Sequence, residues 1–201
     1  MKLQNRSRLL LVPVVLWLSA CATQLPVAEK LKQDSWQANR EKITKLENWE
    51  LTGRIALSME RQAWSASLQW VQAQQAYQLR IIAPMGQGSL EMQGNSRGVT
   101  MQVAKDKLVH ADSPEILLQK SFGWSVPVSG LKYWIRGIPV PDRRINKLLL
   151  DDNGRVSEME QSGWHVSYSN YTSQGSVELP GKIVMQNGSL KLRLVIRHWL
   201  I

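Results

Sequence analysis

The three histidines, at positions 110, 165 and 198, are the residues of this sequence most suited to holding a metal or moving a proton near neutral pH. Each stands alone in or near a run of strand character, without the close spacing or neighbouring carboxylates that a metal site requires. Ser129 and Lys132 reproduce the Ser-x-x-Lys spacing of penicillin-binding enzymes, but the companion motifs of those enzymes are absent. Asp151-Asp152-Asn153-Gly154 reads as a turn ahead of a glycine, and as an isolated acidic cluster is at most a weak cation site. No serine-nucleophile elbow, phosphate-cradling loop or pair of carboxylates on a recognisable scaffold is read from the chain. The expectation is a protein that is not an enzyme and uses no cofactor or metal.

One residue does carry covalent chemistry. Lys2, Arg6 and Arg8 precede the apolar run "LLLVPVVLWLSA", which is too short to cross ~30 Å of hydrocarbon and reads as a signal peptide. The run ends in Leu18-Ser19-Ala20-Cys21, which resembles the bacterial lipobox. Cys21 is the single cysteine of 201 residues, so it has no disulfide partner within the chain. Residues 1–20 are then a signal peptide to be removed, Cys21 the site of lipidation, and 21–27 a lipidated tether. In enterobacterial lipoproteins an aspartate after the acylated cysteine commonly marks retention in the inner membrane. Ala22 and Thr23 stand here instead, implying export to the outer membrane.

Removing Lys2, Arg6 and Arg8 leaves 22 of the 25 Lys and Arg against 16 Asp and Glu, a net of +6. Within a bacterial envelope such a balance suits anionic lipid headgroups or an acidic protein, and nucleic acid is not expected. Eight of the nine tryptophans belong to the processed chain, against a single phenylalanine. That is many large rings for 181 residues.

The elements that would position these residues fall into a clear order. Leu31, Trp36, Ile43 and Leu46 give 28–48 one apolar stripe at helical spacing. The period then becomes two: Leu51, Gly53, Ile55 and Leu57; Trp64, Ala66, Leu68 and Trp70; Tyr77, Leu79 and Ile81; Leu90 and Met92; Val99, Met101 and Val103. Each run offers one apolar and one polar face, as an antiparallel sheet with one wet side requires. Gln74-Gln75 and "GNSRG" read as hairpin turns. "SPEILLQKSFG" opens as a helix should, with serine and then proline, and "VSGLKYWIRGIP" reads as a second short helix stopped by Gly137 and Pro139. Alternation resumes at Leu148 and Leu150, Trp164-Val166-Tyr168, Ile183-Met185 and "SLKLRLVIRHWLI". The count is about eleven strands and three helices in a single domain, 28–201. By pattern alone, a half-closed barrel around a cavity and a fully packed sandwich are equally compatible.

The aromatic positions Trp64, Trp70, Tyr77, Trp134 and Trp164 have apolar neighbours in the period and suit either core packing or the broad walls of a hydrocarbon pocket. "RIIAPMGQGSLEM" presents a further oddity: the turn at Pro84, Met85 and Gly86 places an apolar side chain where turn tips are normally polar. Either Met85 folds back over the core or it is meant for an apolar partner.

The order lipobox, N-terminal helix, "NWELTGRIAL", "WSASLQWVQ", "YQLRIIAPMGQGSLEM", "VPVSGLKYWIRGIP", "GWHVSYSNY" and "LPGKIVMQNGSLKLRLVIRHWLI" resembles the LolB family of outer-membrane lipoprotein receptors over essentially the whole processed chain. The resemblance implies a mainly β fold: an unclosed antiparallel barrel of about eleven strands, lidded by about three helices and enclosing an apolar cavity. It implies a monomeric receptor, anchored at Cys21 in the outer membrane and facing the periplasm of a Gram-negative bacterium. Such a receptor takes acylated lipoproteins from the soluble carrier LolA and inserts them into the inner leaflet, without nucleotide. In the family an exposed apolar residue, usually leucine, tips a loop needed for delivery to membrane lipid; Met85 matches it and departs mildly from it. Leu51, Ile55, Leu57, Trp64, Leu68, Trp70, Leu79, Ile81, Leu90, Met101, Trp134, Trp164 and Val166 are the residues expected to line the acyl-chain cavity. The competing expectation is a structural or assembly lipoprotein of the outer membrane with a packed β core.

Overall fold

A computed structural model describes residues 27–201 apart from 61, 87 and 104–106. The expected signal peptide, Cys21 and all but the last residue of the tether lie outside the described residues. The chain runs α1 (Val27–Thr44), β1 (Asn48–Met59), β2 (Gln62–Ala73), β3 (Ala76–Ile82), β4 (Ser89–Asn95), β5 (Gly98–Val103) and β6 (Lys107–Ala111). Two helices follow, α2 (Pro114–Phe122) and α3 (Val128–Trp134). The second half is β7 (Ile145–Leu150), β8 (Val156–Gln161), β9 (Trp164–Ser169), β10 (Thr172–Gln174), β11 (Val177–Leu179), β12 (Lys182–Asn187) and β13 (Leu190–Leu200).

Eleven strands form one sheet in the order β6-β5-β4-β3-β2-β1-β13-β12-β9-β8-β7, and β10 pairs with β11 in a separate ribbon. All pairings are antiparallel, and β6 and β7 end the sheet without pairing to each other, so the barrel stays unclosed. Alternate residues along the strands face the core and the solvent. On β13, Leu190, Leu192, Leu194 and Ile196 are buried and Lys191, Arg193, Val195 and Arg197 exposed. A bulge at Thr52/Gly53 interrupts the β1–β13 register and adds bend and twist there. Gly53 is required at that point, since a Cβ would stand 2.3 Å from the Val195 carbonyl oxygen. The sequence pattern does not mark β6, which is five residues long with Val109 and Ala111 only half-buried, or β8, whose outward positions include Glu158 and Glu160.

The helices end where their caps dictate. Ser113 accepts from the Ile116 amide at 3.4 Å, Pro114 follows, and Gly123 closes α2 in the left-handed conformation. α1 is shorter than the 28–48 stripe suggests, and of its 18 residues only Trp36 and Ile43 are buried; Leu31 remains exposed. Polar contacts hold it instead. Asn39 exchanges two hydrogen bonds with the backbone of Glu178 on β11, at 3.2 and 3.1 Å, and Lys32 pairs with Asp152 at 2.8 Å. Beyond α3, Arg136 is buried without a carboxylate beside it among the described residues. It donates to the carbonyls of Ile43, Leu46 and Lys132, which ties the end of α1 to α3. Burial draws its guanidinium down to about 10, so it is still charged at neutral pH. The buried apolar side chains form one cluster reaching from Trp36 to Trp199.

Candidate functional site

A cavity of about 470 Å³ lies between the concave face of the sheet and helices α2 and α3. Ile55 and Leu57 of β1, Trp64, Leu68 and Trp70 of β2, Leu79 and Ile81 of β3 and Leu90 of β4 stand on its wall. The opposite side is Leu118 and Phe122 of α2, Trp124 and Val126 of the connection, and Val128, Leu131 and Ile135 in and after α3. Met185, Leu192 and Leu194 close the floor toward β12 and β13. Gln62 and Ser89 are the only polar side chains among these lining residues, and both belong to the strand ends at the rim. None of the described lining residues is charged, so a group bound there meets an almost wholly apolar wall.

Three rings mark the rim. Trp124 stacks on Phe122 with centroids 4.8 Å apart and leans on Trp64 at 5.9 Å, joining the α2–α3 connection to the start of β2. All three are half-buried. The connection is held by Ser125 donating to Gln119 at 2.8 Å, by the Trp124 amide donating to the Leu118 carbonyl at 3.4 Å and by the buried Val126.

The β3–β4 hairpin belongs to the same rim, because Ala83, Gly88 and Ser89 line the cavity. The Ala83 amide donates to the Gly88 carbonyl at 2.9 Å and closes a loop whose tip is the Pro84–Gly86 turn. Met85 there is 94% exposed, with φ 54° and ψ 24°. An unbranched residue tolerates this left-handed geometry at a small cost, whereas a β-branched one would not. The side chain points away from the protein and does not fold back over the core.

Of the thirteen residues expected on the cavity wall, Leu51, Met101, Trp134, Trp164 and Val166 are elsewhere. All five are buried in the core and none lines the cavity. Trp134 packs on Trp164 with centroids 6.1 Å apart, and its Nε1 donates to Gln161 Oε1 at 2.9 Å. Gln161 is fully buried and uses its amide completely: Oε1 also accepts from the Val140 amide, and Nε2 donates to the Val140 and Arg143 carbonyls. This cluster fills the space over β8 and β9, taking Val166 with it. Leu51 lies opposite Trp70 and Trp199 in the register, toward the packed end where Trp49 meets Trp70 at 5.5 Å and Trp199 at 5.8 Å. Met101 on β5 is covered by α2. The residues missed include Met92, the floor residues Met185, Leu192 and Leu194, and the helical wall. For the wall the signal was present: Leu118 and Phe122 stand at i and i+4, on one face of α2.

The residues suggestive of other chemistry are apart from one another. His110 bonds Thr100 across β5–β6 at 2.9 Å, His165 lies 3.5 Å from Glu160, and His198 is exposed on β13. Ser129 donates through its amide and hydroxyl to Glu115, at 2.7 and 3.3 Å, while Lys132 sits over the Tyr133 ring. Asp151 is consumed by its own turn, accepting from the amides of Asn153 and Arg155 and from the Arg155 guanidinium. Gly94-Asn95-Ser96-Arg97-Gly98 does have Gly-x-Ser-x-Gly spacing, contrary to the reading above. It forms the turn between antiparallel β4 and β5, whereas a nucleophile elbow needs a strand running into a helix.

The architecture is a mainly β fold, an unclosed antiparallel sheet of eleven strands covered by helices. Solved structures share it: a LolA superfamily protein from Nitrosomonas europaea superposes with a TM-score of 0.53, covering 85% of this chain and 93% of that one at 8% identity. A DUF1329 family protein from Desulfovibrio piger gives 0.51 over 85% and 91%, again at 8%. These are likenesses of fold alone. The sequence settles the family. Residues 47–199 match the family described as outer membrane lipoprotein LolB, and the chain belongs to it. The outer-membrane lipoprotein LolB of Nitrosococcus oceani is 36% identical over 194 residues, 96% of each chain. That of Pseudomonas putida strain GB-1 is 36% identical over 164 residues, 82% of this chain and 80% of that one.

Proposed function

We propose that this protein receives the acyl chains of lipoproteins from the periplasmic carrier LolA in the cavity under α2 and α3, and passes them to the inner leaflet of the outer membrane. It is held there by its own lipid on Cys21 and works without nucleotide, with 28–201 acting as one lipid-binding domain. The observation that carries the reading is an apolar cavity of about 470 Å³ whose rim bears a fully exposed methionine.

Energetics explain why both parts are needed. Exposing three acyl chains to water costs on the order of 30 kcal/mol at ~0.8 kcal/mol per CH₂, so chains must pass from one dry site to another. The wall of tryptophan, leucine and methionine adapts to a flexible chain without a fixed register. Met85 entering lipid contributes only ~1.5–3 kcal/mol, which is too little to anchor a protein. Its role is to set the cavity rim against the bilayer.

The test mixes the unacylated processed chain with LolA loaded with a radiolabelled lipoprotein, in the absence of nucleotide. Transfer of the label to this protein is expected. Retention of the label on a competent carrier would refute the reading and leave a structural lipoprotein.

A further inference from the structure

We propose that the outer face of β13, beside the cavity rim, is a docking site for the phosphate headgroups of an anionic bilayer. It acts as a second membrane contact beyond the Met85 turn, and no cargo or carrier is involved in it. The outer face carries Arg54, Lys182, Lys191, Arg193 and Arg197 around Val195. Arg54 and Lys182 both stand opposite Val195 in the register, and the other three alternate along β13 with the buried leucines. The residues opposite these cations are Val195, Ser67, Ser169, Ser58, Gln186, Ala56 and Val184, and none is a carboxylate. Among the described residues none of the five forms an ion pair. An excess of +6 is thus gathered in part on one face with no internal counter-charge.

The upper end of this face is shaped as well as charged. A groove of about 300 Å³ is lined by Lys191, Arg193, Ser58 and Ser65 together with the apolar Ala56, Leu57, Ala63 and Trp64. An arginine fork, an ammonium and two hydroxyls are the donor set that phosphate oxygens take. Its height fits the bilayer. Ile82, the last residue of β3, is level with Ser67, Arg54 and Val195. The Pro84–Gly86 turn begins two residues beyond Ile82 and ends four beyond, the steps at which β1 reaches Ala56 opposite Arg193 and Ser58 opposite Lys191. The apolar tip and the two cations therefore rise to the same level of the sheet, three strands apart. A bilayer met by Met85 would present its headgroups to Lys191 and Arg193.

The experiment uses the unacylated processed chain (residues 21–201, Cys21→Ala) and vesicles without cargo, so its outcome is separate from that of the transfer assay. Vesicles of phosphatidylcholine with about 30 mol% phosphatidylglycerol are compared with pure phosphatidylcholine at about 50 mM salt, where surface charge is only partly screened. The protein is expected to prefer the anionic vesicles, and Lys191→Glu/Arg193→Glu to reduce that binding by roughly tenfold or more while leaving binding to phosphatidylcholine unchanged. Both positions are exposed, and an unchanged thermal transition verifies that the variant is folded; Lys191→Gln/Arg193→Gln should show a smaller loss in the same direction. Equal binding of wild type to the two vesicles would overturn the proposal. So would unchanged anionic binding by the charge-reversed variant, which would leave an acidic protein as the partner of this face. Displacement by about 10 mM inorganic phosphate at matched ionic strength would assign the groove to a soluble anion, and equally overturn a bilayer site.

Discussion

Strand β9 and strands β1 to β4 carry the same alternation of large apolar and polar residues, yet β9, with its neighbour β8, meets solid packing and the others a void. Over β8 and β9, Trp134 reaches down from α3, lies against Trp164 and is pinned through Nε1 to a fully bonded Gln161. Over β1 to β4, the covering side is Leu118 and Phe122 of α2, Trp124 of the connection and Val128 and Leu131 of α3, and the Phe122–Trp124 stack meets Trp64 at the rim without filling the space beneath. The filled region is distinguished by the Trp134–Gln161 bond and the further partners that Gln161 collects; Trp70, whose Nε1 donates to Gln72 Oε1 at 3.3 Å, still lines the void.

Substitutions in the two regions should therefore behave differently. The largest effect is expected from Trp134→Ala, which removes a fully buried ring and a partner of Gln161: a loss of ~3–5 kcal/mol in urea unfolding. Trp64→Ala, at a half-buried position on the cavity wall, should cost only about 1 kcal/mol. Equal losses would erase the distinction. The converse substitution sharpens it. Leu57→Trp enters free volume and should leave stability within about 1 kcal/mol while abolishing uptake of an acyl-chain probe. Met159→Trp, in the filled region, should cost ~1–3 kcal/mol or more by overpacking.

Smaller effects separate the rim from both regions. Met85→Glu should keep the fold and acyl-probe binding, with stability within about 0.5 kcal/mol, yet stop delivery to vesicles. Met85→Gly relieves the left-handed φ and should raise stability by up to ~1 kcal/mol, also with delivery lost. A melting point lowered by Met85→Glu would return this residue to the core. The smallest effect is electrostatic. Desolvation tends to raise the Asp151 carboxyl, but the Arg155 guanidinium and the amides of Arg155 and Asn153 outweigh it and hold the carboxyl below its usual value. A carboxyl depressed on folding contributes stability that is present above the unfolded value of about 4 and is lost as the pH falls through the folded value. The wild type should lose that contribution below about pH 4, and Asp151→Asn should show a shallower acid limb there.

The strands that frame the cavity were legible because each run keeps strict alternation over four residues or more, and α2 because Ser113 and Pro114 announce it. The rim was legible because an apolar residue at a turn has no local reason to be there. What could not be read was which apolar positions face a void. Leu57 and Val166 have the same pattern in the sequence, and only the placement of α3 over β8 and β9 decides that one lines the cavity and the other does not. Gln161 gave no warning in a run that looks like a solvated strand, "VSEMEQ", although it is the hub that fills that region. The short β6 and the β10–β11 ribbon escaped because three to five residues are too few to establish a period.

The absence of pairing between β6 and β7 has a mechanical meaning. A closed barrel has a bore set by strand number and stagger, and widening it breaks ladder hydrogen bonds. A sheet with a seam behaves as a spring clip: small changes of twist, shared over ten ladders, open it while every bond stays made. The about 470 Å³ found here is then the volume of the clip at rest. Under the proposed function, acyl chains that overfill this volume would be accommodated by spreading the seam and not by breaking a ladder.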